Sequence, residues 1–446
     1  TSLIQKDSNN SEDRILANGK KYEFGHRLLQ SALLSNIVYP VHTQGQYIRH
    51  FTPGKNWNSL YTWDSGFIAL GLIDVDITKA FECIRAYTTP VGSESAFIHH
   101  GTPLPIQMYA YADLWNNSLS RESLEFLYPR LKQFFNFMVG NDPYSTTRMK
   151  GSGLLRTWDY FYNSGGWDDY PPQQEVQRRR LQANCAPVVT TAHAIRCAKI
   201  LAYTARLLGE TADADAFDAD ALRLGRSLQT AWDEESGYFG YLLHDPSGDA
   251  ADILRTEQGL NYDMGLDGAS PLFAGACTEP QKELLWQKLQ SPEHLWCACG
   301  LSTVDQSAPY YRRDGYWNGA VWMPYQWMFF KSALDAGLAD FALRLMDGAG
   351  GRAQSGMIFQ GNGNTPLQRE DVSVFNVIRR EKTLGRDEKQ QKEEENYFAH
   401  RSCRQPFQIV NRTFTDSISQ IKSRSHLYQI LCHCCVGSFK PFPTGP

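Results

Sequence analysis

Apolar residues recur every three or four positions over residues 192–233, which is the period of an amphipathic helix. Gly209 interrupts the series once, and glycine commonly ends a helix. The pattern therefore predicts two helices joined by a short connection, a helical hairpin. Comparable pairs of helical stretches occur elsewhere, and they cover residues 105–117 with 121–139 and residues 318–334 with 338–348.

Strand signals are few, and residues 238–243 (Tyr-Phe-Gly-Tyr-Leu-Leu) are the best candidate for one arm of a short β-hairpin. The chain as a whole alternates helical hairpins with loops rich in Gly, Pro and aromatic residues. This organisation predicts an all-α fold, an α/α toroid with its functional loops at one end. An ordinary helical bundle is the alternative, although bundles rarely place so many tryptophans in loops.

The composition excludes several classes of partner. The chain has 446 residues, of which 42% are hydrophobic, and a formal net charge of -4. Such a slightly acidic protein gives no reason to expect nucleic acid or an anionic membrane surface as a partner. No apolar run reaches the roughly 18 residues that a membrane span needs.

The ten cysteines form no convincing disulfide framework. The densest group, residues 432–435 (Cys-His-Cys-Cys), lacks the ligand spacing of a zinc site, so we expect no metal. The character of the chain changes after residue 350, because all eleven tryptophans lie at or before Trp327 and a charge run follows at 386–395. We therefore expect an N-terminal extension over residues 1–24, a main helical domain over 25–349, and a divergent, poorly ordered tail over 350–446.

Candidate chemistry begins at residues 165–172, Gly-Gly-Trp-Asp-Asp-Tyr-Pro-Pro. Asp168 and Asp169 lie between Trp167 and a rigid proline turn. A carboxyl group against an aromatic ring loses hydration, which raises its pKa and lets it hold a proton near neutrality. A general acid for a glycosidic oxygen needs this property, and the face of Trp167 is suited to stacking on a sugar. A plain surface turn is the alternative.

Two further stretches place acids beside aromatic rings at the start of a helix. They are residues 58–67, with Asp64 next to Trp63, and residues 310–322, which contain Asp314 and Trp317. Aromatic faces bind the apolar faces of sugars, while Asp, Asn and Arg bind the hydroxyl groups. We therefore expect the three loops to form the rim of one pocket.

With these motifs, the chain resembles the inverting glycosidases of glycoside hydrolase family 63, in the branch near mannosylglycerate and glucosylglycerate hydrolases. The resemblance covers roughly residues 25–349 and rests on four ordered motifs, at residues 61–66, 99–105, 165–169 and 316–322. It implies an (α/α)6 barrel that hydrolyses an α-glucoside or α-mannoside, a small glycoside or oligosaccharide, without a cofactor.

The resemblance also implies roles for individual residues. Asp168 matches the family's general acid, and Asp169 would orient it or bind sugar. Asp64 would bind hydroxyl groups of the ring in the −1 subsite. The other residues predicted to shape the subsites or contact substrate are Tyr61, Trp63, Gln107, Trp167 and Trp317.

The general base is the point at which the chain departs from the family. An inverting glycosidase needs a second carboxylate, about 6.5–9.5 Å from the acid, to activate water. In the family a late Glu supplies it, and here only Glu395, in Glu-Asn-Tyr at 395–397, resembles that setting. Glu395 is therefore the predicted base, with a chance match in a solvated charge run as the alternative. If the change at residue 350 replaces the closing helices, the barrel is open at its C-terminal seam and the base is absent.

Three functions stay open on the sequence. The first is a working inverting α-glycosidase, and the second is a sugar-binding protein that is catalytically impaired because it lacks the base. The third is a trehalase-like or glucoamylase-like glycosidase, whose signature loops fit residues 165–172 less well. A short acidic aglycone such as glycerate would suit His99, His100, Arg312 and Arg313.

Overall fold

The computed structural model describes residues 27, 29–37, 41–43, 46–48, 51–52, 61–93, 104–156, 167–313 and 315–354, with residues 41–43, 46, 48 and 349–354 described by their backbone. The described chain is mostly helical, as the sequence predicts. A helical segment over residues 29–35 comes first. The helices after it are α1 (Thr62–Leu72), α2 (Ile77–Ala86), α3 (Ile106–Ser118), α4 (Arg121–Met138), α5 (Pro171–Arg179), α6 (Val188–Leu208), α7 (Thr211–Leu228), α8 (Pro271–Ala274), α9 (Glu279–Gln290), α10 (Met323–Asp335) and α11 (Ala339–Gln354).

The three predicted helical hairpins are confirmed. α6 packs along α7, and Gly209 ends α6 in the left-handed region with φ 85°. α3 is followed by α4 through a two-residue connection, and α10 by α11. The last hairpin differs at its start, because α10 begins at Met323 and residues 317–319 form a turn before it.

The strands are short and antiparallel. They are β1 (Val41–Thr43), β2 (Gln46–Ile48), β3 (Cys185–Ala186), β4 (Trp232–Asp233), β5 (Tyr238–Phe239), β6 (Leu242–His244), β7 (Ala250–Ile253), β8 (Trp296–Cys297) and β9 (Gly300–Leu301). They form the sheets β1-β2, β3-β6-β7, β4-β5 and β8-β9. The predicted arm at 238–243 is thus two strands in two sheets: Phe239 lies opposite Trp232, and Leu242 lies opposite both Ala186 and Ile253.

Burial separates central helices from outer ones. In α1 all residues but Asp64 are buried, and most of α3, α6 and α10 is buried as well. By contrast, α4 and α7 bury one stripe each and expose the opposite face, as amphipathic helices do. Each central helix is followed in sequence by a more exposed one. Within the described ranges, none of the helices combines the length and the apolar character that crossing a membrane requires.

The contact between α1 and α3 depends on a glycine. A Cβ atom at Gly66 would lie 2.4 Å from Ile106 Cβ and 2.7 Å from its backbone carbon. We expect Gly66→Ala to lower the free energy of unfolding by about 1–3 kcal/mol, because the two helices must move apart. Gly225→Ala on α7 is the matched control, since no atom lies within 4 Å of its added methyl.

Urea denaturation of both variants measures the effect. The control should gain roughly 0.5–1 kcal/mol, because alanine is a better helix former than glycine. Wild-type stability in Gly66→Ala would show that the close packing of α1 on α3 is not a constraint on this fold.

Candidate active site

The acid pair lies on a short turn that is fixed at both ends by buried rings. Asp168 is exposed and Asp169 is half-buried, whereas Trp167 and Tyr170 on either side are fully buried. The backbone N–H of Tyr170 donates to the carbonyl of Trp167 over 3.1 Å and closes the turn. Two prolines then begin α5, which fixes the direction of the chain.

Aromatic rings from the three predicted loops pack together beneath this turn. Trp167 stacks on Trp317 at 5.1 Å between ring centroids, and Trp317 stacks on Trp322 at 3.9 Å. Trp63 meets Trp317 edge-on at 6.4 Å and stacks on Tyr325 at 5.9 Å. Trp167 Nε1 donates to the Tyr325 hydroxyl over 2.8 Å. We call these five residues the aromatic cluster. The structure thereby brings the three loops to one place.

The tryptophan faces do not lie open to a sugar, contrary to the expectation from the sequence for Trp167. Trp167 is 0% exposed, Trp317 1% and Trp63 9%, so these rings turn their faces to one another. Burying large rings against rings gains more than leaving them in water, which is why the stack closes. The groups that reach solvent here are the acids and half-buried residues such as Tyr61 and Tyr316.

Three carboxyl groups influence one another above the cluster. Burial raises the pKa of Asp64, in the first turn of α1, to about 7, and the charge of Asp168 adds to this. Burial also raises the pKa of Asp169, which a hydrogen bond from the Trp317 backbone N–H opposes. Burial and the Asp168 charge raise the pKa of Tyr316 as well. The site therefore favours holding at least one proton near neutral pH.

Gln107 supports the helix that carries Asp64. Its side chain is 1% exposed, and its amide nitrogen donates to the Thr62 carbonyl over 2.7 Å and to Ser65 Oγ over 2.8 Å. These bonds hold the first turn of α1 to the start of α3. The predicted sugar contact of Gln107 stays a prediction.

Several predicted positions lie outside the described residues. They are the predicted base Glu395, Asp314, the loop residues His99 and His100, and the cysteine group at 432–435. The prediction that Glu395 activates water is therefore untested by the structure. Across the ranges given above, His, Cys, Asp and Glu side chains nowhere gather in the groups of three that a metal site would need.

Comparison with known proteins identifies the family of this chain. Residues 57–355, more than half of the chain, match the family described as the mannosylglycerate hydrolase MGH1-like glycoside hydrolase domain. The chain belongs to this family. The model of this family describes a glycoside hydrolase domain. A mannosylglycerate hydrolase of Thermus thermophilus is 29% identical over 122 residues, which are 26% of this chain and 26% of that protein. The aligned stretch thus spans about a quarter of that relative.

Solved structures of a family 63 mannosylglycerate hydrolase, from another strain of Thermus thermophilus, share the fold. The complex with glucose is 22% identical with a TM-score of 0.50, over 72% of this chain and 91% of that chain. The complex with Tris and D-glycerate is 20% identical with a TM-score of 0.51, over 73% and 91%. The complex with Tris alone has 20% identity and a TM-score of 0.52, over 78% and 98%.

The structure also shows two buried acids, Asp263 and Asp267, that the sequence analysis missed. Asp263 accepts a hydrogen bond from the Tyr170 hydroxyl over 2.7 Å. Asp267 accepts from the backbone N–H of Val189 over 2.7 Å and from the Tyr241 hydroxyl over 2.9 Å. Both acids are 0% exposed. Burial raises the pKa of each, and the charge of Asp267 raises that of Asp263 further. Their stretch, residues 260–268, combines acids, Gly and Tyr as the three recognised loops do.

The raised pKa of Asp64 predicts a pH-dependent stability. Its folded value, about 7, exceeds the ordinary 3.8, so the folded protein binds a proton that the unfolded chain releases between those values. This stabilisation is fully present below about pH 4 and is lost as the pH rises through about 7. Asp64→Asn cannot ionise and should gain stability relative to wild type between about pH 5 and about pH 8, on the order of 2 kcal/mol after allowing for partial exposure.

The midpoints of urea denaturation of wild type and Asp64→Asn, taken at both pH values, measure this change in relative stability. Asp215→Asn, which removes an exposed carboxyl group on α7, is the matched control. A constant difference between Asp64→Asn and wild type across the pH range would contradict the assignment of a raised pKa to this site.

Proposed function

We propose that this hydrolase cleaves an α-glucosidic or α-mannosidic bond of a small glycoside with inversion of configuration, inside an (α/α)6 barrel. Asp168 is the general acid. The observation that carries the proposal is its position: Asp168 is exposed at the meeting point of three loops, while Asp64 and Asp169 beside it are half-buried. A proton donor must reach the ligand, and it must lie in an environment that favours the protonated form of a carboxyl group.

The reaction proceeds in one displacement. The Asp168 carboxyl group donates its proton to the glycosidic oxygen as the bond from that oxygen to the anomeric carbon breaks. A water molecule attacks the anomeric carbon from the opposite face, and a carboxylate base takes one of its protons. The products are the free alcohol and the β-anomer of the sugar. We propose Glu395 as the base, because its Glu-Asn-Tyr context resembles that of the family's late Glu.

The neighbours of Asp168 have distinct tasks in this proposal. Asp169 accepts the backbone N–H of Trp317 and so ties the acid turn to the loop before α10. Asp64 extends from the first turn of α1 towards the same place and binds hydroxyl groups of the ring. Tyr61 and Tyr316, both half-buried, border the −1 subsite.

The proposed substrate is a hexose linked to a short acidic aglycone. The Thermus hydrolase with the same fold has been solved with glucose and with D-glycerate, and this supports the same ligand class here. In this chain Arg312 is exposed, and its charge counteracts the raised pKa of Asp169. Its guanidinium group therefore lies near the acids, where it suits the carboxylate of glycerate.

A panel of α-glucosides and α-mannosides tests the proposal, with glucosylglycerate and mannosylglycerate included and the released anomer followed by NMR. We expect initial release of the β-anomer. Asp168→Asn keeps the size of the side chain but has no proton to donate, so turnover should fall by roughly 10²–10⁴-fold. Asp215→Asn should match wild type. Initial release of the α-anomer, or full activity in Asp168→Asn, would refute the mechanism.

The base is tested separately by Glu395→Gln, with Glu394→Gln in the same charge run as its matched control. We expect a large loss of turnover only in Glu395→Gln, because only this residue activates the water. Equal effects of the two substitutions would exclude Glu395 as the base. Sugar binding without turnover by the wild-type chain, measured by calorimetry, would instead favour the sugar-binding alternative.

A further inference from the structure

Tyr170 links the acid turn to a buried acid in a distant part of the chain. Its backbone closes the turn that carries Asp168, and its ring lies edge-on against Trp167 at 4.5 Å between centroids. Its hydroxyl donates to Asp263 over 2.7 Å. Burial raises the pKa of Tyr170 well above its usual range, so the hydroxyl keeps its proton at neutral pH.

The far end of this link is held firmly. The backbone N–H of Asp263 donates to Asn261 Oδ1 over 2.8 Å. Space around the hydroxyl is tight as well, because a Cβ atom at Gly265 would lie 2.7 Å from Tyr170 Oη. A tyrosine that is 0% exposed and fixed at its tip has little freedom to move the turn at its backbone.

A buried acid is a costly way to hold a ring in place. A carboxyl group without water loses its hydration, and an apolar residue of similar volume would fill the same space without that penalty. What the acid adds is direction, since it fixes the hydroxyl, and therefore the ring, in one orientation. That ring is the side chain of Tyr170, which follows the proposed proton donor Asp168 by two positions in the sequence.

We propose that Tyr170 and Asp263 are positioning residues for the general acid: their hydrogen bond sets the direction in which Asp168 presents its proton. This inference rests on the proposed role of Asp168. Neither residue touches substrate. Without the bond, the turn keeps its fold but Asp168 loses its alignment with the glycosidic oxygen.

The choice of leaving group separates positioning of the acid from a general structural role. Hydrolysis of an alkyl glycoside needs a proton on the departing oxygen, whereas fluoride leaves an α-glycosyl fluoride without one. Tyr170→Phe removes only the hydroxyl. We expect its kcat on the glycoside to fall roughly 10- to 100-fold, with KM little changed, and its kcat on the fluoride of the same sugar to stay near that of wild type.

Tyr128→Phe is the matched control. The Tyr128 hydroxyl on α4 donates to Asp213 on α7 over the same 2.7 Å, and neither helix carries a residue of the acid turn. This variant should behave as wild type with both substrates. Tyr170→Phe would overturn the proposal if it left both activities intact or lowered both in parallel, and so would an equal loss in Tyr128→Phe.

The partner acid provides an independent check. Asp263→Asn keeps an oxygen that can accept from Tyr170, and it should retain more glycoside turnover than Asp263→Ala. Adding Tyr170→Phe to Asp263→Ala should cost little more, because the bond is already lost. Additive losses would show that the two residues act separately and would contradict the proposal.

A measurement that does not depend on turnover distinguishes failure of this inference from failure of the proposed function. Backbone amide NMR signals of Asp168 and Trp317 should move in Tyr170→Phe and stay in place in Tyr128→Phe. Such shifts in a chain that cleaves neither substrate would refute the glycosidase while keeping the link from Tyr170 to the turn. Unmoved signals would refute the link itself.

Discussion

The site depends on the packing of indole rings from loops far apart in sequence. Trp167 lies between Trp317 and the Tyr325 ring, and its single N–H donates to the Tyr325 hydroxyl. Loss of any one ring would leave a large void, and a buried N–H without a partner adds a further penalty. These contacts fix three backbone segments relative to one another. The positions of the acids on those segments are fixed as a result.

The same packing sets the electrostatics. Large rings exclude water beneath Asp64 and Asp169, so the charged form of each is disfavoured by burial before any neighbour is considered. Asp168 reaches solvent, and its ionised form raises the pKa of both further. A folded chain keeps such a group of carboxyls only at a cost in stability, which the packing of the core offsets.

The sequence was informative where local chemistry decides the outcome. The apolar period predicted α6 with α7 and α3 with α4, and the run of aromatic residues and acids located the three loops. The prediction began the last hairpin too early, at residue 318, because periodicity does not mark where a helix starts: residues 317–319 form a turn, and α10 begins at Met323. The burial of Trp167 was equally hidden, since a motif shows which residue is present but not which face it turns to solvent.

Asp263 and Asp267 were missed for a related reason, because nothing in their local sequence shows which residues approach them. Val189, in the first turn of α6, is 78 positions from Asp267, and Tyr170 is 93 positions from Asp263. Only the tertiary fold converts two ordinary acids into fixed acceptors for a helix start and for the turn that carries Asp168. The acid at Asp263 therefore does more than fill space, because an apolar residue would occupy the same volume without fixing the direction of the Tyr170 hydroxyl group.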